Sequence, residues 1–197
     1  MFGTYHLIAL GLFAAFCVLD LAASARRFPD VRLWHVKGTA FMLLYFAVAT
    51  YAPLAWDALL AEHTLLDASG LPFAAQIVGG FLALEVGIFA WHRTVHNTSF
   101  LRRRFHQMHH SAERVDIFGA FYFHPFDMVG WSLLGSLCLV GGFGLSAEAA
   151  IVVSVFVTFL SMFQHANLRT PRWIGYFIVR PESHSAHHER GVHAYNY

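Results

Sequence analysis

The chain has 197 residues, a formal net charge of +1, 57% apolar residues and 13% charged residues. Soluble domains carry roughly 25% charged residues, so this composition excludes an ordinary soluble protein and leaves no basic surface suited to nucleic acid. The two cysteines, Cys17 and Cys138, both lie in apolar runs; they exclude a thiolate metal cluster and a disulfide framework and read as small buried hydrophobes.

Met1 to Ser24 is nearly uncharged until Asp20. Ala22-Ala23-Ser24-Ala25 resembles a signal-peptide cleavage site, but the start lacks a positive n-region, so a retained membrane helix is predicted. Arg26, Arg27, Arg32 and Lys37 form a basic connection. Gly38 to about Leu60 is a second apolar run, enough for the ~20 residues a span needs, with Pro53 placed to kink it or end it early. Asp57, Glu62 and Asp67 occupy the next loop without any Lys or Arg. Pro72 to Trp91 is a third run; its Glu85 is costly in lipid and is expected to face protein or a site. A histidine-bearing region, Trp91 to about Pro125, follows. Met128–Leu145 and Ala147–His165 are separated only by Ser146, predicting a tight hairpin, and Ala166–Tyr197 is polar.

The predicted fold is all-α: an integral membrane bundle of four to five membrane helices with a cytoplasmic, histidine-rich metal-binding cap. Two parts are expected, N-terminal membrane helices and loops over 1–72 and a second domain over 73–197. Orientation follows from charge. With the N-terminus outside, all thirteen Lys and Arg fall on the cytoplasmic side: four at 26–37, five at 93–114 and four at 169–190. This one-sided distribution fits the positive-inside rule and puts every histidine group on the same face.

Those groups are His92 and His96, four apart; His106, His109 and His110; and His184, His187 and His188. Residues three or four apart share a helix face, so each group can turn several imidazoles toward one point. A mononuclear site cannot use eight histidines, whereas two adjacent ions can. Imidazole suits iron, zinc, copper and nickel alike, so ligand type leaves the metal open; the chain has no HExxH zinc-protease signature. The alternative is a histidine-rich metal-binding or metal-transport protein. That would need ionisable groups along several helices at mid-membrane, whereas here only Glu85 sits well inside a span.

HRTVH, HQMHH and HSAHH resemble the three histidine boxes of the fatty acid hydroxylase / sterol desaturase superfamily. The flanks agree. Gln164-His165-Ala166-Asn167 resembles the HxN segment before the last box, and Pro181-Glu182 its lead-in. Asn196-Tyr197 resembles the start of a terminal NYG, and His124-Pro125-Phe126-Asp127 an HP-acid segment with Asp in place of the usual Glu. The resemblance covers about Phe73 to Tyr197, and since family members continue further, a truncation at the NY(G) motif is expected.

It implies a membrane-bound non-haem di-iron oxygenase. Such an enzyme holds two iron ions, uses O2 and externally supplied electrons, and hydroxylates or desaturates a sterol-like or fatty acyl lipid. The implied metal ligands are His92, His96, His106, His109, His110, His184, His187 and His188, with His165 as a ninth. In the fatty-acid 2-hydroxylase branch a further histidine follows four residues later; here Arg169 stands there, which points to a sterol-desaturase-like branch. Asp127 and Asn167 are candidates to support the ligands, and His124 is either such a support or a ligand. Trp91, Tyr122, Phe123 and Glu85 are candidates to line a substrate path. The implied partners are a lipid drawn from the bilayer and an electron-donor protein on the cytoplasmic face. Arg102–Arg104 reads as a topology anchor beside lipid phosphates or as a docking patch for that donor. His6, His35, His63 and His193 are isolated and read as ordinary polar residues.

A reporter inserted after residue 65 is expected on the non-cytoplasmic side, read by protease protection in sealed vesicles. A cytoplasmic signal there would reverse the orientation.

Overall fold

The computed structural model describes residues 3–191; His193 and Asn196-Tyr197 lie outside the described residues. Every regular element among the described residues is helical. In order these are α1 (Thr4–Ala22), α2 (Trp34–Tyr51), α3 (Asp57–Glu62), α4 (Phe73–Asn97), α5 (Ser99–Leu101), α6 (Pro125–Ser136), α7 (Ala147–His165) and α8 (Pro181–His187). Short turns extend three of them. A 3-10 turn at Ala52–Ala55 follows α2, a π turn at Arg102–His106 follows α5, and a π turn at Leu137–Gly142 follows α6.

Five of these stretches are long and apolar enough to cross a membrane: Thr4–Ala22, Trp34–Ala55, Phe73–Asn97, Pro125–Gly142 and Ala147–His165. The four-to-five-helix expectation therefore holds at its upper end. Their outward residues suit lipid: Leu7, Val18 and Leu21 on α1 and Val78 and Val86 on α4 are all more than half exposed. Pro53 closes α2 as its sequence position predicts, because proline has no N–H for the helical ladder and sits here in the 3-10 turn.

Two compact units make up the chain. One contains residues 3–43, 107–122 and 158–191 of those described; the other contains 44–106 and 123–157. In the second unit, Leu84 of α4, Leu139 of the π turn and Val153 of α7 form a buried core, joined by Ile77, Phe81, Ile88 and Val157. Close approach there depends on a small residue in α4. A Cβ on Gly87 would stand 2.6 Å from Cys138 Sγ, the kind of contact that small residues permit between membrane helices. At the other end of α4, buried Gln76 donates from Nε2 to Ser69 O (3.0 Å) and Leu71 O (2.9 Å) and accepts from Ser146 N (3.0 Å), joining the loops before α4 and α7. Gly144 has φ +52°, and a Cβ there would run into Leu66 O and Thr64 Cγ2, so both backbone and space require glycine.

The first unit is organised by a carboxylate. Asp20, near the end of α1 and 4% exposed, accepts Ile117 N at 2.7 Å and Asn167 N at 2.8 Å. Asn167 Oδ1 in turn accepts from Arg26 N and Nε, and its Nδ2 donates to Arg26 O at 2.8 Å. Asp116 works similarly, accepting Trp34 Nε1 at 2.8 Å and pairing with Arg114 Nε at 2.8 Å. These bonds fix the segments that follow the second histidine group and α7.

Asp20→Ala strands two buried amides and is expected to cost about 3–6 kcal/mol, since bonds to a charged acceptor are worth roughly 1.5–3 kcal/mol each. The readout is the thermal midpoint in detergent, with Asp20→Asn recovering part of the loss; an unchanged midpoint in Asp20→Ala would contradict it. Gly87→Leu should lower the same midpoint by overpacking, typically about 1–3 kcal/mol.

Candidate metal centre

The second unit gathers His92, His96 and His106. The first two are one helical turn apart near the end of α4, so they share a face. His106 is delivered by the π turn after α5. His92 Nε2 lies 3.0 Å from His106 Nε2 and 3.1 Å from His96 Nε2. The three rings stand edge-on, with centroids 4.7–5.2 Å apart. His92 and His106 are buried.

Orientation comes from behind. His106 Nδ1 stands 2.8 Å from Asp127 Oδ2, and Asp127 is fully buried on the first turn of α6. A carboxylate only accepts, so Nδ1 carries the proton and the Nε2 lone pair faces His92. The apolar side of the group is aromatic: Phe123 stacks on His106 at 6.1 Å, and Trp131 stands edge-on 6.0 Å from His92 and 6.1 Å from His106.

The first unit gathers His109, His165, His184 and His188, all buried, with ligand nitrogens within 4.8 Å of one another. Their Nε2 atoms form a series: His109 to His165 at 3.1 Å, His165 to His184 at 3.0 Å, and His184 to His188 at 3.1 Å. His184 and His188 are one turn apart, at the first turn and the end of α8. His165 ends α7, and its Nδ1 donates to Ser161 O at 2.7 Å, which again leaves a lone pair on the inward nitrogen. His110 stacks on His188 with centroids 4.2 Å apart, and buried His187 stands edge-on to His110 at 4.8 Å.

This donor set fits a divalent first-row metal. Four inward nitrogens in a series with steps of 3.0–3.1 Å cannot all be bridged by protons, because a neutral imidazole has one N–H and His165 spends its own on Ser161. A cation at the common point would satisfy every lone pair at once. Imidazole without thiolate suits iron, zinc, copper or nickel.

The segment leading into α8 is fixed by a separate clamp. Glu182 accepts Thr170 N and Oγ1 at 2.7 Å each, and Arg180 donates to Thr170 Oγ1 and O at 3.0 and 2.8 Å. Burial works against the Glu182 charge, but the Thr170 bonds and the Arg180 charge outweigh it and hold this carboxyl below its usual range.

The remaining candidates fall elsewhere. Asn167 bonds to Asp20 and Arg26, as described above. His124 caps α6, its Nδ1 accepting Phe126 N at 3.3 Å. His35 packs on Phe118, His63 Nδ1 bonds Leu59 O, and His6 Nδ1 accepts Gly3 N. Glu85 is half-buried on α4, and Tyr122 packs against Trp34 and Phe41. Two residues escaped sequence reasoning: one packs on the site and one braces the segments that carry it. Trp131 looked like one more aromatic in an apolar run. Asp20 carried a legible signal, an acid in a membrane helix, of the kind that singled out Glu85.

Comparison with known families matches residues 77–197 to the family described as fatty acid hydroxylase. Among curated proteins, ornithine lipid hydroxylase from Rhizobium tropici is 29% identical over 87% of this chain and 49% of its own length. Sphinganine C4-monooxygenase 1 from Arabidopsis thaliana is 26% identical over 66% of this chain and 50% of its own. The chain thus spans about half the length of the curated relatives it matches, and no solved structure matches it. With the family match extending over more than half of its residues, the chain belongs to the fatty acid hydroxylase family, within the fatty acid hydroxylase / sterol desaturase superfamily.

Proposed function

We propose that this chain forms the catalytic part of a membrane-bound lipid hydroxylase that holds two iron ions and uses O2 with electrons from a separate donor protein. The observation that carries the reading is the buried series of four inward imidazole nitrogens, His109, His165, His184 and His188. One ion is assigned to that group and one to His92, His96 and His106, with His110 and His187 completing the ligand set. Bound iron would supply the oxygen-activating chemistry that an unactivated C–H bond requires. Hydroxylation is favoured over desaturation because both curated relatives are named as lipid hydroxylases or monooxygenases.

The protein's own contribution is orientation and dryness. Asp127 holds the His106 proton on Nδ1 and raises the donor strength of Nε2. Ser161 O does the same for His165 with a neutral acceptor. Phe123 and Trp131 keep water from the apolar side of the first group and present an aromatic wall to a lipid chain. We assign the histidine groups to the cytoplasmic face on the distribution of basic residues. Arg103 and Arg104, exposed beside His106, are the proposed landing point for an acidic electron donor.

Three measurements test this. Protein expressed with ample iron should bind two ions per chain, and His165→Ala and His109→Ala should each lose about one; full loading in both would sink the ligand assignment. Asp127→Asn should weaken metal retention about 10–100-fold in chelator competition, the usual penalty for removing a ligand's support. Chelation should abolish, and ferrous iron restore, the addition of one oxygen mass to a component of a host lipid extract supplied with O2 and reductant. Metal binding without any such product would instead favour a metal-binding or transport role.

A further inference from the structure

We propose that the loop between α7 and α8 is an interfacial membrane anchor, seating Trp173, Tyr176 and Phe177 in the headgroup layer of a bilayer that contains anionic lipid. Trp173 is 62% exposed, Tyr176 87% and Phe177 80%. Arg169 and Arg172 are exposed beside them. Scattered exposed apolar residues are ordinary, but three large aromatics within five positions form a patch. The residue types choose the partner. Tryptophan and tyrosine pair an apolar ring with a polar atom and concentrate at the membrane–water boundary. Arginines beside them meet lipid phosphates, and an anionic surface attracts each one.

Position supports the same occupant. The loop leaves from Asn167, just after α7 ends. Asn167 is bonded to Asp20 near the end of α1, to the Arg26 side chain at 3.1 Å, and through its carbonyl to Ala25 N at 2.8 Å. Two membrane-length helices, α1 and α7, therefore finish together at the root of this loop. That root lies at the edge of the hydrocarbon layer, where an aromatic-and-arginine tip reaches headgroups directly.

The loop is also held in shape. The Thr170 clamp to Arg180 and Glu182 ties its two ends together, and Trp173 packs edge-on to Phe177 at 6.5 Å. Aromatics presented by a closed loop lose less entropy on insertion than those on a free strand. The inference rests on the membrane-spanning helices and holds whatever reaction the histidines serve.

The test uses the full chain in lipid nanodiscs. Cys17 and Cys138 are changed to alanine, and Tyr176→Cys carries an environment-sensitive NBD fluorophore. In phosphatidylcholine mixed with phosphatidylglycerol, the expected result is blue-shifted emission and strong quenching by headgroup spin-labelled lipid, both weaker in phosphatidylcholine alone. Arg169→Gln with Arg172→Gln should remove that lipid dependence. Water-like emission in both bilayers would overturn the proposal. So would equal quenching in the two, or a shift that arises only when a soluble acidic protein is added. Native Trp173 gives an independent reading if the labelled variant misfolds: Trp173→Phe should delete a share of the tryptophan emission that brominated lipid quenches. Unchanged quenching in that variant would also overturn it.

Discussion

Asp20 accepts backbone N–H groups from Ile117 and Asn167, and the histidine-bearing segments of the first unit hang from that carboxylate. The partners are 97 and 147 residues away along the chain. One follows the stretch that ends with His109 and His110; the other stands two residues after His165. A buried carboxylate is costly without partners, so this one specifies where both segments must lie. Metal ligands tolerate displacements of only about 0.5 Å, a tolerance that loops alone do not keep. The bonds from Arg26 to Asn167 extend the bracing to the chain that leaves α1.

The two histidine groups are braced by different chemistry. His106 gives its Nδ1 proton to a buried carboxylate, His165 to a main-chain carbonyl. A charged acceptor makes the opposite nitrogen the stronger donor. The two groups are therefore electronically unlike even though both present only imidazole, and ions held by them would differ in ligand field.

The helices and the histidines were legible in the sequence because both obey short-range rules. Apolar runs near 20 residues announce spans, and histidines three or four apart announce a shared face. Pro53 marked the end of α2 by its missing N–H. Asp127 emerged from the resemblance of His124–Asp127 to a family segment; Phe123 was expected to line a substrate path, and it stacks on His106. Other features follow from contacts that no local pattern encodes. Asn167 lies in the expected motif, yet its side chain braces Arg26 instead of an imidazole. Trp131 meets His92 and His106 only because α6 packs beside α4 in the second unit. The ends of the spans were blurred too: α6 begins at Pro125, ahead of the apolar run, and finishes in a π turn that hydropathy does not distinguish from α-helix.

The π turn at Arg102–His106 carries a candidate ligand at its end. A π turn is an α-helix with one residue too many, and each residue of an α-helix turns the chain by about 100°. Here the extra residue is taken up inside Arg102–His106, so the helical ladder is locally widened around the arginines while His106 Nδ1 stands 2.8 Å from Asp127 Oδ2. The arginine run thus forms the one-residue expansion that carries the chain to His106. Its spacing, and not only its charge, is part of how the candidate centre is built.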